Sequence, residues 1–302
     1  MKDFFLCVLC ASAVIFLQQI RNSCTLVTDP YREFRQAVER PEEKIDLGRA
    51  ALTLALGDYP DLDIDSYLRR IDELAVAVSQ RCGAEADMFR SIAALNYVLF
   101  NEQRFRGNRD EYYDPKNSFL NHVIDSKRGL PITLSVLYME VGQRVGLAID
   151  GVGFPGHFLV KTKFEEDEIV IDPFNAGDIK AHEDLQAMLD QLYGGKVRFQ
   201  RDLLAPLPKK QVLKRMLGNL KAIYGRADEL VKMLAVLDHM IILDPGSVED
   251  VRDRGAVYLR LECYGQAKDD FETYLRLAPN AKDAKAIRDQ LVDLAKQTVL
   301  IH

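Results

Sequence analysis

Apolar residues recur at helical spacing through the beginning and end of the chain and give way to short strand-like runs only in its middle. Arg40-Pro41-Glu42-Glu43 sets a proline and two acids where a helix starts. The apolar set Ile45, Leu47, Ala50, Leu52 and Leu54 then predicts one helix up to a stop at Gly57–Pro60. A second helix begins near Asp65-Ser66, with Tyr67, Leu68, Ile71, Leu74, Ala75 and Val78 on its apolar face, and a third runs from about Ala84 through Met88, Ile92, Leu95, Val98 and Leu99. After a polar, turn-rich stretch, Ser118–Asp125 predicts a short helix and Leu130–Val145 a long apolar one. Pro131 lies in the first turn of the latter, where its missing N–H has no helical partner to lose.

Gly146 closes that helix. Ile149–Gly153, His157–Lys163 and Glu168–Asp172 read as three short strands, Ala181–Tyr193 as a helix, and Lys196–Gln200 as a candidate last strand. Leu203–Pro208 is a proline-containing linker and the expected domain boundary. Beyond it the pattern repeats with a period of about 34 residues, and Gly255, Tyr258, Ala267, Phe271 and Pro279 fall at tetratricopeptide landmarks. An earlier, degenerate copy carries Tyr224 and Pro245 but has Lys221 and Met233 in place of the small pair. A final helix over Ala281–Lys296 would cover the open end.

Composition narrows the function classes. The 302 residues are 48% hydrophobic and 28% charged with a formal net charge of −6, enough chain for two domains with sizeable cores. Mixed charge of this sign speaks against nucleic-acid binding, which needs clustered Lys and Arg. The cysteines Cys7, Cys10, Cys24, Cys82 and Cys263 show no metal-ligand spacing, nor do His122, His182, His239 and His302. No glycine-rich phosphate loop or nucleotide fingerprint is present, so no metal or cofactor is expected. Cys82 and Cys263 read as buried free thiols of a reducing compartment, which predicts a cytoplasmic protein. The apolar run Phe4–Leu17 is shorter than a membrane span of about 20 residues. Its length suits a signal segment within residues 1–24, which would mean export, but Asp3 and the absence of a small-residue cleavage site do not suit one. A start codon placed too early or an extra packed helix accounts for it equally.

The chemistry concentrates between Gly129 and Pro173. A helix start followed by a strand carrying His157 and another carrying Asp172 is the order of a thiol acyl-transfer site. In such a site the helix N-terminus and an imidazole make a thiolate available, and a carboxylate fixes the imidazole's tautomer. A hairpin would set His157 beside Asp172. Taken as two residues alone, they read equally as a core histidine and a turn-starting aspartate.

Three segments, NEQRFRGNRDEYYDPKNSFLNHVIDSKRGLPITLSVLYMEVGQRVGL, GVGFPGHFLVK and IDPFNAG, with repeats behind them, resemble the transglutaminase-like superfamily, specifically the SirB1 (UPF0162) family. The resemblance covers roughly residues 29–301. It implies an α+β fold: a transglutaminase-like (papain-type) domain with a helical N-terminal part over 29–205, then an all-α tetratricopeptide-repeat domain over 206–302, with 1–28 as a leader or apolar extension. It also places the family's cysteine at Pro131, with Gly129 as the preceding glycine, His157 as the histidine and Asp172 as the aspartate. That branch generally lacks the cysteine, so His157 and Asp172 are expected to be vestigial.

Two functions follow as expectations. One is a non-catalytic regulatory protein that holds a protein or peptide partner. The other is a hydrolase or acyltransferase in which Thr133 or Ser135, within the next helical turn, serves as a displaced nucleophile. A hydroxyl is the weaker nucleophile and a one-turn shift moves it off line. Arg104, Arg106, Arg109, Tyr112, Tyr113, Asn117 and Asn121 would line the mouth of such a cleft or form a solvated loop, and the loop is the plainer expectation.

Overall fold

The computed structural model describes residues 29–83, 87–165 and 167–300. The expectations for the apolar N-terminal run, for Cys7, Cys10 and Cys24, and for a helix start at Ala84 lie outside these residues. The chain divides into two compact units: residues 36–223, and residues 224–302 together with the N-terminal segment up to Arg35. Among the described residues, no helix is long and apolar enough to cross a membrane.

Chain order runs α1 (Arg32–Val38), α2 (Leu47–Thr53), α3 (Ile64–Cys82), α4 (Met88–Asn96), β1 (Arg106–Gly107), α5 (Leu120–Ser126), β2 (Arg128–Gly129) and α6 (Pro131–Arg144). The sheet strands β3 (Asp150–Val152), β4 (Leu159–Phe164), β5 (Asp167–Asp172) and β6 (Asp178–Lys180) come next. They are followed by α7 (His182–Tyr193), α8 (Lys209–Ala227), α9 (Leu230–Leu243), α10 (Val248–Arg260), α11 (Tyr264–Leu277) and α12 (Ala284–Leu300).

In the first unit, α6 is the centre. Every residue from Pro131 to Gly142 is buried, as expected of a helix apolar on nearly all faces. Helices α2 to α5 pack on it, and β3 and β4 pack on another side. Its charged exception, Glu140, pairs with Arg144 at 2.7 Å and lies against Gly48, where a Cβ would come within 2.7 Å of the carboxylate. Burial pushes the Glu140 carboxyl up, and Arg144 offsets only part of this. The four-stranded sheet is an antiparallel meander, β3-β4-β5-β6. Val160 pairs with Ile171 and Phe164 with Asp167, a hairpin register that brings the start of β4 beside the end of β5.

In the second unit, Gly255 earns its place by close approach: a Cβ there would lie 2.9 Å from the Phe271 ring. Phe271 and Ala267 are fully buried between α10 and α11. Pro245 and Pro279 follow the ends of α9 and α11 after one intervening residue each, Asp244 and Ala278. Tyr31 and Phe34 set their rings edge-on to His239 of α9, at 4.8 and 4.7 Å.

Several local expectations need correction. The helix expected to follow Pro41 is a single 3-10 turn at Glu42–Lys44 and then α2, because Asp46 leaves the helix to cap Arg49 N. Lys196–Gln200 is not a strand. The fourth strand is β6, and Val197 and Phe199 are tied instead to the Gln186 amide. Cys82 and Cys263 are free and half-buried rather than buried.

Candidate functional site

His157 does not sit on a strand. It closes a turn before β4, its N–H donating to Phe154 O at 3.0 Å. Gly156 just ahead of it has φ +69, a conformation that glycine adopts without cost. From α8, the Arg215 Nη2 donates to both Phe154 O (3.0 Å) and His157 O (2.6 Å), clamping the turn.

Asp172 ends β5 and begins the 3-10 turn Pro173–Asn175. Its Oδ1 accepts from Phe174 N (3.1 Å) and Asn175 N (3.3 Å), and its Oδ2 from Asn175 Nδ2 (2.7 Å). The remaining direction on Oδ1 meets His157 Nε2 at 3.0 Å. Asp172 is wholly buried and His157 is 14% exposed. Burial alone would push the Asp172 carboxyl up. The hydrogen bond and charge of His157, with Asn175 and Lys180, outweigh it and hold the carboxyl below its usual range. A carboxylate fixed by two backbone N–H groups and an amide leaves its imidazole partner a single orientation. The pair is built to orient a ring, with Nδ1 left for another group. Among the described residues, nothing hydrogen-bonds to Nδ1, and no thiol contacts His157.

The start of α6 offers no replacement sulfur. Pro131 is buried at the first helical position. Thr133 Oγ1 accepts from Leu130 N at 2.9 Å and has Asn117 O at 2.9 Å for its own hydrogen, so its hydroxyl serves as a helix cap. Gly129 is the only residue type that fits before it, since a Cβ would come within 2.8 Å of Thr133 Oγ1. Ser135 Oγ is buried with no hydrogen-bond partner, one turn along α6 from Pro131. That face of α6 runs on through Met139, whose Sδ would lie 3.4 Å from a Cβ on Gly151, so it is turned to the sheet.

The segment after Asn101 is not simply a solvated loop. A buried amide pair, Asn108 Nδ2 to Asn117 Oδ1 at 3.0 Å, staples it, and Asn117 Nδ2 holds Glu111 O at 2.6 Å. This sets Tyr112 edge-on to Phe174, at 6.3 Å, and the Arg109 guanidinium 5.1 Å from the same ring, with an Arg109 hydrogen bond to Asn175 Oδ1. The Phe174 ring also stands edge-on to His157 at 5.8 Å and lies on the β1 backbone, where a Cβ at Gly107 would come within 2.5 Å of it. Tyr113 and Arg104 remain exposed, and Asn121 Oδ1 is buried without a partner. Sequence reasoning missed Phe174, Asn175 and Arg215. The first two lay inside IDPFNAG, a motif read only for its aspartate.

Comparison with known proteins agrees with this architecture. Residues 65–218 match the model of the transglutaminase-like superfamily, and residues 220–292 match a tetratricopeptide-repeat model. A UPF0162 protein of Xylella fastidiosa is 36% identical over 268 residues, covering 86% of this chain and 94% of the relative. One from Vibrio cholerae is 27% identical over 262 residues, covering 86% and 97%. F-box only protein 21 of Mus musculus is 30% identical over 179 residues, covering 56% of this chain but 28% of that protein. No solved structure matches.

Proposed function

The chain belongs to the UPF0162 family of transglutaminase-like proteins, and from that premise we propose that it is a non-catalytic interaction protein whose surface beside His157 holds a polypeptide segment. One observation carries this reading. The oriented His157–Asp172 pair persists, while the helix start that would present a nucleophile carries a buried proline and a threonine hydroxyl committed to capping. Tetratricopeptide repeats generally mediate protein–protein contacts, so the helices after Ile223 supply a second binding surface for the same purpose.

The competing reading is a hydrolase or acyltransferase that uses Ser135. The unpartnered Ser135 hydroxyl favours it, and complete burial on the sheet-facing side of α6 opposes it. Full-length wild type and H157A separate the two. The holding role predicts that neither hydrolyses peptide amides or acetyl esters above background, and that cross-linking captures the same partners with both. A hydrolytic rate that disappears in H157A would overturn it.

A further inference from the structure

Arg215 clamps the His157 turn, while Arg109 lies over the Phe174 ring that stands edge-on to His157, and among the described residues neither is paired with an acid. Among the described residues, Arg215 gives Nη2 to two carbonyls, while its Nε and Nη1 have no protein acceptor. Arg109 donates one Nη2 hydrogen to Asn175 and has no other acceptor among the described residues. No carboxylate among the described residues lies within ion-pair distance of either, although Arg49, Arg70, Arg144, Arg252 and Arg254 all have one. Burial pushes the Arg215 guanidinium below its usual range and only Tyr112 opposes this, so the cation is partly desolvated with neutral carbonyls and a ring, not an acid, as its partners. A guanidinium in that position is an incomplete interaction.

We infer that the surface beside His157, formed by Arg215, Arg109 and Tyr112 over the buried Phe174, binds a carboxylate of an acidic peptide segment. The inference rests on the holding role proposed above and names what is held. Arg109, Arg215 and the buried Asp172 together leave one positive charge, which a single carboxylate neutralises. The planar forks of two guanidinium groups match a carboxylate's paired oxygens. The exposed Tyr112 ring, set edge-on to the buried Phe174, offers an apolar contact for the peptide stem.

The test uses the isotope-labelled full chain, with N-acetyl-glutamate N-methylamide, its glutamine counterpart and inorganic phosphate as probes. NMR shifts of the His157 ring and the arginine Nε groups are the readout. The glutamate probe should bind at least fivefold more tightly than the glutamine probe, and R109Q and R215Q should each remove most of that preference. R215Q also frees two turn carbonyls, so R109Q, at an exposed position, keeps the test sound if R215Q loses its folded spectrum. Equal binding of both amino-acid probes, no binding, or a preference that survives R109Q would overturn the inference. So would phosphate binding the same groups more tightly than the glutamate probe. Such a failure leaves the holding role intact, because only a His157-dependent turnover removes that.

Discussion

Arg254 and Arg215 are both half-buried, and their surroundings are opposite. In the repeat unit, Arg254 meets Asp238 at 2.7 Å and Asp270 at 2.7 and 2.8 Å, and Tyr31 adds its hydroxyl to Asp238 at 2.9 Å. Hydrogen bonding to Asp270, against the cost of burial and helped by Asp238, holds the Arg254 guanidinium above its usual range. In the transglutaminase-like unit, Arg215 touches carbonyls and rings, and burial takes it the other way. A cation closed by its own chain is architecture. A cation left open beside an oriented imidazole is available to something else.

The sharpest way to break this comparison is at the closed network. R254L leaves Asp238 and Asp270 partly buried and mutually repelling, and should cost about 3 kcal/mol in urea unfolding. A loss below about 1 kcal/mol would place the network with ordinary surface ion pairs and remove the contrast. Next in size is Asp172, buried and accepting four hydrogen bonds, where D172N should cost about 2 kcal/mol at neutral pH. Because its folded pKa is depressed, its contribution is fully present above the unfolded carboxylate value of about 3.9. It is lost as pH falls through the folded pKa. The gap between wild type and D172N should therefore narrow below about pH 4, and a constant gap would show that the carboxylate charge is not what stabilises the turn.

The adjacency of His157 and Asp172 was legible in the sequence because motif order and hairpin pairing are local properties, although His157 lies in the turn before β4 and not on the expected strand. The small-against-aromatic packing of Gly255 and Phe271 was legible because a repeat imposes a period. Arg215 was not, since a single arginine on an amphipathic helix looks like a solvated one until the turn it clamps, 58 residues earlier, is in place. Strand β6 escaped notice because Asp178-Ile179-Lys180 is too short to show alternation and is defined by its pairing with β5. The break before α2 turned on one aspartate choosing to cap rather than continue.

A smaller effect sharpens the comparison within the repeat unit. His239 is buried against the Tyr31 and Phe34 rings, with Asp238 beside it and its Nδ1 on Ala235 O at 2.7 Å. Burial pushes its imidazole below the usual range, against weaker opposition from Ala235 O and Asp238. A histidine held neutral stabilises fully above its unfolded pKa of about 6.5 and loses that contribution as pH falls toward the folded value. Wild type should lose about 1 kcal/mol between pH 7 and 5 relative to H239F; parallel pH profiles would contradict this. Smallest of all, R109Q should leave the urea midpoint within about 0.5 kcal/mol of wild type while changing ligand preference. A large stability loss would make Arg109 structural, like Arg254.

The central claim is that this site lacks only its nucleophile, and peptide-resolved mass spectrometry after exposure to p-nitrophenyl acetate tests it. The peptide spanning Gly129–Arg144 should stay unmodified in wild type, gain an acetyl group at the substituted position in P131C, and lose that gain in P131C/H157A. Acetyl transfer to Thr133 or Ser135 of the wild-type chain would contradict the account.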